Sequence, residues 1–356
     1  MSRALSSPSI TRTRLRTTEV VLLRHTDGAR LANQLWNVAA VFAYCVERRF
    51  DFRDVSNSDY RSGFPETRNP VAWGDARRSS PLPQIRRLGE KKKARRLLAA
   101  ISGRLPPVLI QTVKHQVAPV IRAPDTVFYL PPSPVPREDA RLALSSAEKV
   151  NGGRIYFSGW PFKNPVGLRV HRRAILDFLR PTEYVAVRVA ELFAGLRGRY
   201  QSIVGVHLRQ GDYRSWLGGK LAVTPEEAAD ILREYIEWRQ LRAREVLFVV
   251  CSDEPVPLHV FEGLEVMQGP GGIEDDMFAL AACDAIIGSN STYGGFASYI
   301  GDVPLILLRR GGMNWDRYAD RTGYEEDPDF VMNLLRGVDE GFTSDGSFFT
   351  SSPNAH

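Results

Sequence analysis

Cysteine is scarce in this chain of 356 residues: only Cys45, Cys251 and Cys283 occur, far apart. They supply neither a disulfide framework nor the paired spacing of a structural metal site. Cys251 and Cys283 lie in apolar runs and read as buried thiols. Six histidines are scattered without ligand spacing, so no metal is implied. No uninterrupted apolar run reaches the ~18 residues that a membrane-spanning helix needs. The N-terminus lacks the apolar core of a secretory signal, and the expectation is a soluble, cytoplasmic protein. The Walker pattern, the Gly-x-Ser-x-Gly elbow and the His-Glu-x-x-His helix are all missing, and no internal repeat is evident.

Acid is missing from two places. Residues 1–18 hold four arginines and no acid, and residues 77–104 hold ten Lys/Arg against Glu90 alone. With a formal net charge of +6, the remainder of the chain carries −7. The basic character therefore belongs to a tail, expected to be disordered, and to one insertion. Such a segment suits a local anionic partner, a membrane surface or an acidic acceptor, when it is not simply a solvated basic helix. It lacks the interleaved aromatics of a nucleic-acid platform, and nucleic acid is not expected as a partner.

What is present is a 43% hydrophobic composition in a chain long enough for two domains. Val20–Leu23 reads as a strand, His25–Arg30 as a polar turn, and Leu31–Arg48 as a helix. Residues 51–105 read as loops with one basic helix near Gly89–Ile101. Val108–Thr112 and Thr126–Leu130 follow as short strands before prolines 131, 132, 134 and 136 break the chain. Beyond residue 154 the pattern is regular. Strands are expected at Ile155–Phe157, Ile203–Leu208, Val246–Cys251, Leu264–Gln268, Ala285–Gly288 and Val303–Leu308. Helices are expected at Leu168–Leu179, Tyr184–Leu196, from Thr224 to about Arg242, at Glu274–Cys283 and at Thr292–Ile300. Thr224-Pro225-Glu226-Glu227 spells a capping box with proline in the first turn. Strand and helix alternate, which predicts an α/β chain with a parallel sheet covered on both faces, and two such domains facing a cleft.

Four pieces carry chemistry. Gly28, Arg30 and Asn33 lie where a strand turns into a helix, with small residues and helix amides suited to an anion. A polar helix start without a ligand would look the same. In His207-Leu208-Arg209-Gln210-Gly211-Asp212-Tyr213, a buried strand empties into polar residues at the sheet edge where α/β proteins bind ligands. Arg209 offers a planar fork matched to phosphate oxygens. Alternation puts His207 on the same side, toward a ribose or base edge. Asp212 is either a general base or a turn-former. Asp253, at the end of Val249–Ser252, is placed to accept N–H groups from a guanine or else to cap a loop. Finally, Ser289-Asn290-Ser291-Thr292 sets hydroxyls and amides at a helix N-terminus, more than one plain cap requires. Glu274, Asp275 and Asp276 open the preceding helix, where the dipole favours acids in any case.

In this order the pieces resemble the GDP-fucose-dependent fucosyltransferases, closest to the α-1,2-fucosyltransferases of glycosyltransferase family 11, with similarity to O-fucosyltransferases. Gly28–Trp36 is similar to that family's Gly-x-Leu-Gly-Asn-Gln opening, with one extra residue after Gly28. His207–Tyr213 resembles its His-x-Arg-Arg-Gly-Asp-Tyr, and Ser289–Tyr293 its Ser-Asn-Ser-Thr-Phe/Tyr; Tyr156–Trp160 with Phe162 matches a mid-chain segment. The likeness spans roughly residues 20–310. Two departures stand out: Gln210 replaces the second arginine, and Gly294-Gly295 replaces Ser-Trp-Trp.

The resemblance implies a GT-B fold, two Rossmann-like domains facing an interdomain cleft. The N-terminal domain, with the acceptor surface, would run over 19–155 and the nucleotide-sugar domain over 156–330, flanked by the tail 1–18 and an extension 331–356. It implies inverting, metal-independent transfer of fucose from GDP-fucose to a glycan hydroxyl. Arg209 and Asp212 would be catalytic; Gly28, Arg30, Asn33, His207, Arg209, Asp253, Ser289, Asn290, Ser291 and Thr292 would bind the donor. No cofactor is implied, and residues 77–104 are the segment suited to peripheral membrane contact. The rivals are a transferase using another nucleotide sugar and a degenerate, non-catalytic glycan-binding member.

Overall fold

The computed structural model describes residues 18–22, 30–54, 63–65, 126–129, 154–158, 162 and 164–330. The tail 1–17, the turn containing Gly28, the basic segment 77–104, the expected strand at 108–112 and the extension 331–356 lie outside these residues.

Two parallel sheets organise the chain. The first is built from β1 (Glu19–Leu22), β2 (Asp51–Asp54), β3 (Thr126–Tyr129) and β4 (Arg154–Ser158), in the order β2-β1-β4-β3. The second holds β5 (Ser202–Leu208), β6 (Val246–Ser252), β7 (Glu265–Gln268), β8 (Ala285–Gly288) and β9 (Leu305–Leu307), in the order β7-β6-β5-β8-β9. Its central strands are apolar along nearly their whole length, because helices cover both faces and no position can alternate out to water. The chain leaves β5 toward β6 on one side and reaches β8 on the other. That reversal opens a crevice at the strands' carboxyl ends, where doubly wound sheets bind ligands.

Helix α1 (Leu31–Arg48) is buried on almost every side, as a helix between two layers must be. It packs on α7 (Thr292–Gly301): Trp36 meets Phe296 edge-on at 4.9 Å and Tyr299 at 5.2 Å, and its indole N–H donates to the Thr292 carbonyl at 3.2 Å. α2 (Pro165–Val170) and α3 (Arg172–Phe178) clamp the same pair. Asn164 caps α2 through its Oδ1 while its Nδ2 donates to the Ala40 carbonyl of α1. The Arg172 guanidinium donates to the carbonyls of Tyr299 and Ile300, satisfying the last turn of α7. The other α-helices among the described residues are α4 (Glu183–Phe193), α5 (Pro225–Trp238) and α6 (Ile273–Ala281). Among the described residues no helix is long and apolar enough to cross a membrane.

Several expectations from sequence change here. Residues 51–54, read as loop, form β2; its apolar signal is short, since Asp-Phe-Arg-Asp buries only alternate residues. The single helix expected over 168–179 is broken at His171 (φ −103°, ψ 17°), and the turned second piece stacks Phe178 on Phe42 at 4.4 Å. The helix opened by the Thr224 capping box ends at Trp238, short of 242, where Gln240 takes a left-handed φ of 54°. α4 stops at Phe193, before Gly195 at φ 80°. The division expected between 155 and 156 falls inside β4, all of which pairs with the first sheet.

Candidate active site

The crevice is assembled around the end of β5. Where the strand stops, the Arg209 amide donates to Ser289 Oγ at 2.9 Å and the Gln210 amide to Asp253 Oδ1 at 2.7 Å. Residues from the ends of β8 and β6 therefore fix the backbone that carries Arg209. Its guanidinium is largely enclosed. Nε and Nη2 both reach Asp212 Oδ1, at 2.9 and 2.8 Å, and Nη1 reaches Asp253 Oδ2 at 3.2 Å. From the first turn before α1, Arg30 joins the same two carboxylates, Asp212 at 3.4 Å and Asp253 at 3.7 Å. Two arginines and two aspartates thus meet across the join of the two sheet units, their charges balanced. Below them the Tyr213 ring lies 5.8 Å from the Arg209 guanidinium carbon and donates its hydroxyl to the Asn290 carbonyl at 2.8 Å.

Asn33 comes to this region as well, its Oδ1 accepting from the Thr292 hydroxyl at 2.6 Å. The other polar residues of 289–292 serve as framework. Ser289 is fully buried under Arg209, Ser291 lies against His207, and Asn290 donates to the Asp329 carbonyl at 2.6 Å. What α7 presents to an anion is the positive end of its backbone.

His207 lies deeper still than Arg209. It is buried in a slot left by Gly288 and Gly294, where a Cβ would stand 3.1 and 3.3 Å from its atoms. Tyr293 covers its ring at 4.9 Å, and Nδ1 lies 3.5 Å from Ser291 Oγ. Burial pulls its pKa down to about 4, with Asp253 opposing, so it is neutral near pH 7. The expected role on a ribose or base edge gives way to a buried structural one, because Arg209 lies past the strand end, where alternation no longer relates the two side chains. Asp253, read as a base acceptor, is committed instead to Arg209, Arg30 and the Gln210 amide.

Gln210 is buried too, donating from Nε2 to the Val223 carbonyl at 2.7 Å. The position where the resembled family carries a second arginine therefore faces into the loop after β5, away from the crevice. Gly294-Gly295 is filled from elsewhere: Phe330 sits where a Cβ on Gly295 would come within 2.5 Å of it. The segment bearing Phe330 is held by buried Asp327, which accepts from the Tyr318 hydroxyl at 2.9 Å and from Arg309 at 3.1 Å.

One feature escaped the sequence. A small groove of about 30 Å³ runs along the ends of β6 and β7, lined by Ser252, Glu254, Gln268, Gly269 and Asp276 among others. Asp276 accepts from the Gly271 amide at 2.7 Å, and burial raises its pKa to about 6. In sequence it was one of three acids in a helix's first turn; only the fold shows that Asp275 and Asp276 are buried while Glu274 is not.

The profile of Glycosyl transferase family 11 matches residues 160–308. No curated protein matches the chain in sequence. Among solved structures, a mutant of Arabidopsis thaliana FUT1 in complex with GDP superposes with a TM-score of 0.51 at 14% identity, over 88% of this chain and 75% of that one. Fucosyltransferase NodZ from Bradyrhizobium gives 0.46 at 16% identity, over 84% and 97%. POFUT1 in complex with GDP gives 0.44 at 12% identity, over 83% and 98%. The superposition with FUT1 carries the fold, two facing α/β units of GT-B type. Residues 160–308, which hold all of the crevice except Arg30 and Asn33, are the part of the chain similar to Glycosyl transferase family 11, and the chain is a glycosyltransferase.

Proposed function

We propose that the chain transfers fucose from GDP-fucose to a glycan hydroxyl, with inversion and without a metal ion. The observation that carries this reading is the Arg209 guanidinium at the sheet's switch point, braced by Asp212 and Asp253 and joined by Arg30 from the facing unit. The family 11 match and a fold neighbour that holds GDP support it.

In the reaction the acceptor oxygen forms a bond to the anomeric carbon as that carbon's bond to the β-phosphate oxygen breaks. GDP departs with the electron pair. Negative charge grows on the leaving oxygen, so Arg209, Arg30 and the α7 N-terminus stabilise the transition state more than the ground state. These are the neutralising groups on which the metal-independent reading rests. The acceptor proton passes to Asp212, half-exposed at the crevice and able to turn from Arg209 once phosphate competes for that guanidinium. Residues 77–104, a cytoplasmic location and peripheral contact with an anionic membrane remain part of the proposal on charge alone.

Calorimetry with GDP-, UDP- and ADP-sugars, followed by a transfer assay on a glycan array, tests the reading. Selective binding of GDP-fucose with labelled glycan is expected. Preference for another sugar nucleotide would move the assignment to a different donor, and GDP binding without transfer to any glycan would favour a non-catalytic member.

A further inference from the structure

The loop from Gly211 to Val223 is built more firmly than a connection between β5 and α5 requires. Its two ends are tied by the buried Gln210 amide on the Val223 carbonyl. Its floor is Tyr213, anchored on the Asn290 carbonyl. Its tip is a run of three left-handed residues, Leu217 (φ 53°), Gly218 (φ 66°) and Gly219 (φ 75°). For leucine that conformation is unfavourable, and it persists only where the surroundings impose it. Gly219 cannot be replaced, since a Cβ there would stand 2.9 Å from the Arg214 carbonyl oxygen. Compact surface loops closed on themselves in this way are often functional.

The tip holds apolar groups toward water. Leu217 is exposed, and Trp216 is half-buried, its ring 5.0 Å from that of Tyr213. Tyr213 is in turn the ring under the Arg209 guanidinium. The ladder Arg209–Tyr213–Trp216 therefore runs outward from the phosphate site, and Asp212, the general-base candidate, lies in the same loop. An acceptor must bring a hydroxyl to Asp212 while the rest of its sugar lies beyond, on the solvent side.

We propose that Trp216 and Leu217 form the acceptor platform, receiving the apolar C–H face of the pyranose whose hydroxyl is fucosylated. An aromatic face presents a large, rigid contact area and suits the axial hydrogens of a sugar ring. This inference rests on the transfer reading above.

The test uses the full chain with GDP-fucose on a glycan array, the labelled glycan then serving as acceptor in solution. For Trp216→Ala the acceptor KM is expected to rise by about tenfold or more, with the Kd for GDP unchanged by calorimetry. Trp216→Phe is expected to recover most of the loss. An acceptor KM unchanged in Trp216→Ala overturns the platform while leaving transfer intact. A GDP Kd that rises in step with KM also overturns it, because Trp216 would then only prop Tyr213 and Arg209. Wild-type chain that binds GDP but labels no glycan overturns the transfer reading, and the platform with it.

Discussion

Two buried groups titrate in opposite senses, which makes the pH dependence of stability a sharp probe of the site's interior. Asp276 is raised from 3.8 to about 6, chiefly by burial. Between those values the folded chain holds a proton that the unfolded chain has lost, so its contribution to stability falls as pH rises and levels off above about 6. A shift of this size corresponds to about 3 kcal/mol, taken as an order of magnitude. His207 is lowered from 6.5 to about 4, again chiefly by burial. Over that window the unfolded chain binds the extra proton, so this contribution rises with pH, by about 3 kcal/mol as well. The two nearly cancel in the wild type. Asp276→Asn removes one of them and keeps an acceptor for the Gly271 amide. The stability of Asp276→Asn relative to wild type should therefore grow by about 3 kcal/mol between pH 4 and 7. Urea melts of both proteins across that range measure the difference directly, since every other titration is shared. A difference that stays flat would refute the burial argument for Asp276 and, with it, the groove as a site that strains a carboxylate.

Arg209→Ala should lower kcat by 10²–10³ or more, by analogy with a lost oxyanion donor. The variant should stay folded but melt lower, because losing a largely enclosed guanidinium leaves Asp253 with only the more distant Arg30 as ion-pair partner; GDP release kinetics beside a thermal melt checks both. Gln210→Arg, which restores the family's second arginine, should not raise activity. It places a charge at a buried position facing the Val223 carbonyl, costing about 2–4 kcal/mol, and a melting point above wild type would contradict this. Gly301→Ala should destabilise by about 3 kcal/mol, because its Cβ would lie 2.1 Å from the backbone oxygen of Ala281, which cannot step aside; chemical denaturation reads the loss.

Much of the second unit was legible in the sequence. Uniformly apolar strands such as Val246–Ser252 and the Thr224 capping box are local signals, and local rules decide them. The site was legible in its membership but not in its wiring. Arg209, Asp212, Arg30 and Asp253 were each singled out, yet Asp253 lies 43 residues from the Gln210 amide it accepts from. That partnership is set by β5 and β6 being neighbours, which no local pattern states. His207 misled because period-two alternation was carried past the end of its strand. Asp276 was hidden by an adequate local explanation, the helix dipole, which accounts for three acids without saying that the second and third are buried.

Transfer requires the guanidinium of residue 209 to meet the β-phosphate of the departing nucleotide. Calorimetric titration of GDP and GMP against the wild type and Arg209→Ala isolates that contact, since the two ligands differ only in that phosphate. Wild type is expected to favour GDP over GMP by roughly ten- to a hundredfold, the range of a charged hydrogen bond, and the preference is expected to collapse in the variant. An equal GDP-to-GMP ratio in both proteins would contradict it.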